Sequence, residues 1–287
     1  MSSGPILLVG ATGQQGSAVL RSLQALPQVP AIRALSRSVD SPKALELKQQ
    51  GVEVVKGSLE DVESLKRALK GVSAAFLVTV LPAKGGIEED QQGYNFIEAA
   101  KAVNLPYLVF SSVSDASPTC GVPHFETKAR VEAALEESGL KHAVLAPVAF
   151  YDNFPRTSSF ASFMALGLFE AGLHGKKVQM VATDDIGDAA AQMLTRPEAY
   201  AGRHIQLAGD DLTMSEARDT YSRVENRTVR KAWLPSLFLY SLSYDLRAML
   251  KFFYEKGYTA DIAQVKKEFP TMRSFEQWLR EGAAPAK

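Results

Sequence analysis

The sequence has few of the residues on which disulfide-linked, metal-binding and membrane-spanning proteins depend. Its 287 residues include one cysteine, Cys120, which excludes internal disulfides and cysteine-rich zinc sites. Its four histidines are not spaced as ligands on one helix face, so we expect no metal. No apolar run approaches the roughly 20 residues that cross a bilayer, and the first residues lack a signal-peptide layout. These absences predict a soluble, cytoplasmic protein with no membrane role.

The sequence also lacks an excess of charge of either sign. Its 32 basic residues balance its 32 acidic ones, which removes a global electrostatic attraction to nucleic acid. Hydrophobic residues make up 46% of the chain, enough for a large core, and this excludes a disordered protein. The length corresponds to about two domains or one large one. We therefore expect a folded protein that does not bind nucleic acid directly.

The first 150 residues alternate short apolar runs with helix-like segments. The runs show no period-2 alternation, which is typical of strands buried on both faces. Gly51, Gly71 and Gly139 each follow a helix-like segment and mark its end. The pattern predicts an α/β fold with a Rossmann-type doubly wound parallel sheet. The predicted strands are 6–10, 31–35, 52–55, 74–80, 107–113 and 143–150, and the predicted helices are 14–26, 42–50, 61–70, 87–103 and 124–138.

The regular alternation ends after residue 150. We predict a Rossmann domain over 1–153 and a smaller C-terminal α/β subdomain over 154–287 that walls the ligand cleft. The apolar segment 236–256 has two possible roles. It either packs in the core or covers the groove as a lid, or it forms a face that binds a protein partner or a second copy of the chain. The other predicted elements of this part are strands at 177–182 and 204–208 and helices at 186–196, 213–225 and 274–280.

A glycine turn follows the first predicted strand and precedes the first helix. Gly10, Gly13 and Gly16 stand in the sequence GATGQQG. Such a turn lets a pyrophosphate approach bare backbone at the N-terminus of a helix, so this context predicts a dinucleotide site. The alternative is a turn that only connects the strand to the helix and binds no ligand. The expected contacts are Gly10, Thr12, Gly13, Gln14, Gln15 and Gly16.

The residues after the second predicted strand favour NADP(H) over NAD. An NAD-selective site usually has Asp or Glu there, whereas this chain has Ser36-Arg37-Ser38. A guanidinium can pair with a 2′-phosphate, and hydroxyls can donate to it. Lys43, at the start of the next helix, adds a positive charge. The alternative is that Arg37 is a solvated surface residue.

With the glycine turn and Arg37, several further segments resemble the NmrA-like family, atypical members of the short-chain dehydrogenase/reductase superfamily. The resemblance covers nearly the whole chain and implies cofactor contacts from Ser58, Leu59 and Thr79. Ser58 stands where the family usually has Asp. The family includes transcriptional regulators, an NADPH sensor, and reductases of quinones or flavonoid-type substrates, so it implies fold and cofactor better than activity. The matching segments are 76–79, 124–128, 147–153, 184–187 and 274–279.

The resemblance also indicates where a proton donor would stand. The superfamily usually uses Tyr in Y-x-x-x-K, but here His124 occupies the tyrosine position while Lys128 is kept. The resemblance implies that Lys128 also contacts the cofactor at the nicotinamide ribose, and the alternative is a solvated helix lysine. Tyr151, after the sixth predicted strand, is an alternative donor or a wall of the groove. Ser111 and Ser112 lie at the end of the fifth predicted strand. Their hydroxyls would either polarise a substrate or only cap the strand end. The candidate catalytic residues are therefore Lys128, Tyr151 and His124.

Two functions follow from these features. In the first, the protein binds NADP(H) and acts as a redox sensor through a protein partner, in the cytoplasm or the nucleus. In the second, it is an NADPH-dependent reductase of a small carbonyl, quinone or imine substrate. The missing tyrosine favours the sensor, which is the function we expect from the sequence. The lysine and an apolar groove keep the reductase as the alternative.

Overall fold

The computed structural model describes residues 4–82, 86–235 and 243–283. A single 3-10 turn follows the seventh strand at Tyr151–Asn153. The strands are β1 (Ile6–Leu8), β2 (Ile32–Ser36), β3 (Glu53–Lys56), β4 (Ala74–Val78), β5 (Leu108–Ser111), β6 (His142–Pro147), β7 (Ala149–Phe150), β8 (Val178–Val181), β9 (His204–Leu207) and β10 (Asp210–Leu212). The helices are α1 (Gln14–Gln24), α2 (Pro42–Gln49), α3 (Val62–Leu69), α4 (Glu89–Ala102), α5 (Pro123–Glu137), α6 (Phe160–Leu173), α7 (Thr183–Thr195), α8 (Pro197–Tyr200), α9 (Met214–Glu225), α10 (Tyr244–Glu255), α11 (Ile262–Glu268) and α12 (Phe275–Ala283).

Seven strands form the main sheet in the order β3-β2-β1-β4-β5-β6-β9, and the pairs from β3 to β6 are parallel. The register places Ile6 of β1 opposite Ile32 on one side and Ala74 on the other. Strands β4 and β5 are buried along their whole length, as the unbroken apolar runs predicted. The prediction of a doubly wound parallel sheet is confirmed. The strand order reverses between β1 and β4, which is where such sheets bind ligands.

Local sequence signals set where the helices of this sheet begin and end. Ser41 accepts a hydrogen bond from Ala44 N at the start of α2, and Asp61 accepts one from Ser64 N at the start of α3. Gly51, Gly71 and Gly139, which follow α2, α3 and α5, all have positive φ, between +73° and +81°. The predicted helix ends are therefore confirmed.

The chain divides into two compact units, and the division differs from the predicted boundary at 153/154. The first unit comprises Met1–Pro118, His124–Ala146 and Ile186–Ile205, and the second contains the rest. Segment Ile186–Ile205 belongs to the first unit because α7 packs directly on α1. A Cβ at Gly187 would lie 2.5 Å from the backbone of Ala18, and Ser22 Oγ donates to Asp188 Oδ1 at 2.6 Å.

The second unit has its own sheet and its own aromatic core. Strand β8 pairs with β7 and β10. The predicted helix 236–256 is present as α10, and its residues 236–242 lie outside the described part of the chain. Leu250, Phe252 and Phe253 of α10 are buried, which favours the core-packing interpretation. None of the helices in the described ranges is both long enough and apolar enough to cross a membrane.

Candidate functional site

The fold needs two of the three glycines in the β1–α1 turn. Gly10 has φ +73°, a conformation that side chains disfavour, and a Cβ at Gly16 would lie 2.2 Å from Gly10 O. Gly13 is different, because its φ of −95° and ψ of 177° suit any residue. Its Cβ would have one neighbour within 4 Å among the described atoms, Gly10 O at 3.3 Å. The φ and ψ of position 13 therefore do not require glycine, although Gly10 O would have to move by a few tenths of an ångström to admit a Cβ.

The same turn exposes the N-terminus of α1. Gly13 is the N-cap residue and has no side chain to cap the helix, and the first turn carries no acidic residue. The first N–H groups of a helix have no partner within it and carry partial positive charge. This end of α1 can therefore bind an anion. Gln15 is held in place, since Ser111 Oγ donates to its Oε1 at 2.5 Å.

A cavity of about 570 Å³ lies along this turn and the carboxyl ends of β2, β3 and β4. Its volume falls within the range usual for small-molecule and cofactor sites. The other predicted contacts that are not among its lining residues are Gln14, Gln15, Gly16, Thr79 and Lys128. Lys43 lines an adjoining cavity of about 270 Å³ that also includes Thr12. The predicted contacts that do line it are Gly10, Thr12, Gly13, Arg37, Ser38, Ser58 and Leu59.

Arg37 lies in a turn that its serine neighbours hold in shape. Ser36 Oγ donates to Ser38 O at 2.8 Å, and Ser41 Oγ donates to the same carbonyl at 3.2 Å. The Arg37 side chain is exposed and makes no ion pair or hydrogen bond with any residue that the structure describes. Its guanidinium is therefore available to an anion in the cavity.

The turn after β3 forms the opposite wall of the cavity. A Cβ at Gly57 would lie 2.6 Å from Leu35 Cδ1, so glycine leaves room for the Leu35 side chain. Ser58 Oγ accepts a hydrogen bond from Glu60 N at 3.2 Å, and Asn95 Nδ2 donates to Leu59 O at 2.8 Å. Ser58 and Leu59 are thus fixed where they line the cavity.

Lys128 takes part in a buried polar network. Its Nζ lies 2.9 Å from Glu89 Oε1 and donates to Thr79 Oγ1 at 3.2 Å. The Lys128 side chain is 12% exposed and that of Glu89 2%. Burial alone would raise the pKa of Glu89, but the Lys128 ammonium and the hydrogen bonds from Thr127, Lys128 and Thr79 hold it below its usual value. The Glu89 carboxyl is therefore ionised at neutral pH.

His124 lies in the first turn of α5, four residues before Lys128. It is half-buried, and its ring packs edge-on against Phe125 at 4.7 Å between centroids. Ser112 Oγ donates to Glu132, just as Ser111 donates to Gln15. Both strand-end hydroxyls are thus used inside the protein, which favours the capping interpretation over substrate polarisation.

Tyr151 lies in the core of the second unit. The side chain is fully buried, and its hydroxyl donates to Arg273 O at 3.4 Å. Its ring contacts Phe275 and Trp278 at centroid distances of 5.3 and 5.7 Å. Burial, with a contribution from the carboxylates of Asp210 and Asp185, raises the pKa of the hydroxyl well above its usual value. A hydroxyl so placed favours a packing role for Tyr151 over the interpretations as a proton donor or groove wall.

Sequence reasoning missed two buried residues of α4. Glu89 and Gln92 are 2% and 6% exposed. Both bind the end of β4, where Thr79 donates to Glu89 and Gln92 Nε2 donates to Val80 O at 2.9 Å. Their segment, Glu88-Glu89-Asp90-Gln91-Gln92, has the composition of a solvated first turn, so no sequence signal distinguished them.

Comparisons with known proteins identify relatives of this chain and structures with the same fold. An NAD(P)H azoreductase from Xenophilus azovorans is 32% identical over 225 residues, which cover 78% of this chain and 75% of that protein. An NADPH-dependent quinone oxidoreductase from Escherichia coli, solved in complex with NADPH, has a TM-score of 0.77 at 22% identity, with 96% and 99% of the two chains covered. NmrA, a negative transcriptional regulator, has a TM-score of 0.76 at 21% identity, with 97% and 95% covered. Residues 2–279 match the family described as NmrA-like, and the chain belongs to that family.

Proposed function

We propose that the chain binds NADP(H) in the cavity along the β1–α1 turn. Three observations at the carboxyl ends of the strands carry this proposal. They are a ligand-sized cavity, the N-terminus of α1 without a side-chain cap, and the Arg37 guanidinium, which has no partner among the described residues. The pyrophosphate would lie on the backbone of residues 10–16, and the adenine beside Ser58 and Leu59. Arg37 and Ser38 would bind the 2′-phosphate, with Lys43 adding charge from the adjoining cavity.

Of the two functions left open by the sequence, we favour the reductase. The azoreductase at 32% identity supports it, because that relative acts on a small molecule with a nicotinamide cofactor. The cofactor would supply a hydride to a quinone, azo, carbonyl or imine acceptor. Lys128 would hold the cofactor ribose, and His124, four residues earlier on the same helix, would supply a proton.

The redox-sensor function stays as a second candidate because of one specific observation. No tyrosine takes the usual place of the donor, and Tyr151 is buried in the core of the second unit. A protein without a donor can bind the cofactor and respond to its oxidation state without turnover. In this case the binding partner would be another protein.

Titration of the purified chain with NADPH and NADH, followed by a turnover assay, separates these functions. We expect tighter binding of NADPH, and loss of NADPH absorbance in the presence of at least one quinone or azo compound. Reactions without acceptor and without protein are the controls. Tight binding without oxidation across the panel would favour the sensor. Absence of binding to either dinucleotide would refute both.

A further inference from the structure

The start of α4 presents two buried polar side chains to the end of β4. Glu89 and Gln92 are one helical turn apart and therefore share a face. Gln92 accepts a hydrogen bond from Val80 N at 3.2 Å and donates to Val80 O at 2.9 Å. Glu89 accepts one from Thr79 at 2.9 Å. Since Val78, Val80 and Gln92 line the large cavity, this face of α4 fixes part of the cavity wall.

Glu89 also joins that wall to α5. Its Oε1 accepts from Thr79 and faces Lys128 Nζ at 2.9 Å, and its Oε2 accepts from Thr127 Oγ1 at 2.7 Å. Both carboxylate oxygens are thus occupied by donors from β4 and α5. A carboxylate held on both oxygens has one orientation, so it defines where the Lys128 ammonium lies.

The Lys128 ammonium retains capacity for one more partner. An ammonium has three N–H donors. Glu89 and Thr79 account for two of them, and the Phe110 ring lies 5.8 Å from Nζ. Among the residues that the structure describes, no further oxygen or nitrogen accepts from Nζ. The orientation that Glu89 imposes decides where this remaining donor points.

We propose that Glu89 is a positioning residue that holds Lys128 ready to bind an oxygen of the dinucleotide. This inference rests on the proposed function of the cavity and assigns to α4 a role in it. Glu89 itself does not touch the ligand. Without its charge, the ammonium loses its counterion and its fixed orientation, and cofactor affinity falls although the cavity lining is unchanged.

A double-mutant cycle on NADPH affinity tests the proposal. The variants are Glu89→Gln, Lys128→Met and the double variant, titrated by the fluorescence of bound NADPH. We expect Glu89→Gln to weaken binding about tenfold or more, as loss of a charge-assisted contact does. The double variant should bind no more weakly than Lys128→Met alone, because Glu89 acts only through Lys128. The control is Glu53→Gln, which removes the 2.8 Å ion pair with Arg33 and should leave affinity unchanged.

The failure of this inference is distinguishable from failure of the proposed function. If the unmodified chain does not bind NADPH, the proposed function fails first. If the unmodified chain binds and Glu89→Gln binds equally well, or if the two losses multiply in the double variant, the positioning role is refuted.

A second variant keeps the test available if Glu89→Gln does not fold. Thr127→Val removes the donor to Glu89 Oε2 and preserves both charges. It should weaken NADPH binding about fivefold when Lys128 is present. It should have no effect in the Lys128→Met background. An equal loss in both backgrounds would show that Thr127 and Glu89 serve only the fold.

Discussion

Replacing Gly13 by Ala should abolish most cofactor affinity while leaving the fold intact. The backbone at position 13 is extended, and the new Cβ would meet one described atom within 4 Å, Gly10 O at 3.3 Å. Alanine is a poorer N-cap than glycine by a few tenths of a kcal/mol to about 1 kcal/mol, and a less flexible unfolded chain offsets about 0.4–1 kcal/mol. We therefore expect a net change in unfolding free energy of less than about 1 kcal/mol.

The effect on binding should be larger than the effect on stability. The added methyl group enters the lining of the cavity, where the pyrophosphate would contact bare backbone. Loss of one charge-assisted hydrogen bond costs about 1.5–3 kcal/mol, which weakens binding about tenfold to a hundredfold. Calorimetric titration with NADPH measures the affinity, and thermal unfolding without ligand measures the stability.

Gly16→Ala is a control that should lower stability, in contrast to Gly13→Ala. Its Cβ would lie 2.2 Å from Gly10 O and 2.8 Å from Ala11 N, so the turn must move before the residue fits. We expect it to lower the free energy of unfolding by about 1–3 kcal/mol, as overpacking does. If Gly13→Ala binds NADPH like the unmodified protein, the phosphate site does not lie on this turn.

Three further predictions concern selectivity, catalysis and pH. Arg37→Ala should weaken NADPH binding about tenfold to a hundredfold and leave NADH binding unchanged, since it removes only a contact to the 2′-phosphate; equal losses in calorimetry would contradict this. If the chain turns over a substrate, His124→Phe should lower kcat about 10²–10⁴-fold at unchanged NADPH affinity, whereas Tyr151→Phe should not; an unchanged rate in steady-state kinetics would rule out His124 as the acid. The hydrogen bond to Glu132 raises the pKa of His204, so His204 contributes stability below its ordinary pKa of about 6.5 and loses that contribution as pH rises through the raised value. The thermal midpoint of the unmodified chain should therefore approach that of His204→Gln on going from acidic to alkaline pH, and a constant difference would refute the assignment.

The sheet and the glycine turn were predictable because their signals are local. Strands β1 and β4 are unbroken apolar runs, and Gly10 stands two residues after the first. Helix α6 was not predicted from the sequence, because Gly167 and Gly172 lower the helix propensity of its segment. In the structure both glycines serve close packing within the second unit. A Cβ at Gly167 would lie 2.6 Å from Ala232, and one at Gly172 would lie 3.0 Å from Leu250.

The parts of the site that escaped prediction depend on residues far apart in the chain. Tyr151 follows a strand, which suggested the groove, but its environment is set by Phe275 and Trp278 near the C-terminus. Glu89 stands in a charged segment, and it is buried because Lys128 meets it from another helix. Pairings of this kind have no signature in the spacing of a single sequence.

The most direct test of the account is a crystal structure of the chain grown with NADPH. We predict that the pyrophosphate lies on the backbone N–H groups of Gly13 and the first turn of α1, with the 2′-phosphate against the Arg37 guanidinium. We also predict that the Lys128 ammonium contacts the nicotinamide ribose and stays paired with Glu89. Density for the dinucleotide at another place in the chain, or a 2′-phosphate directed away from Arg37 into solvent, would contradict the account.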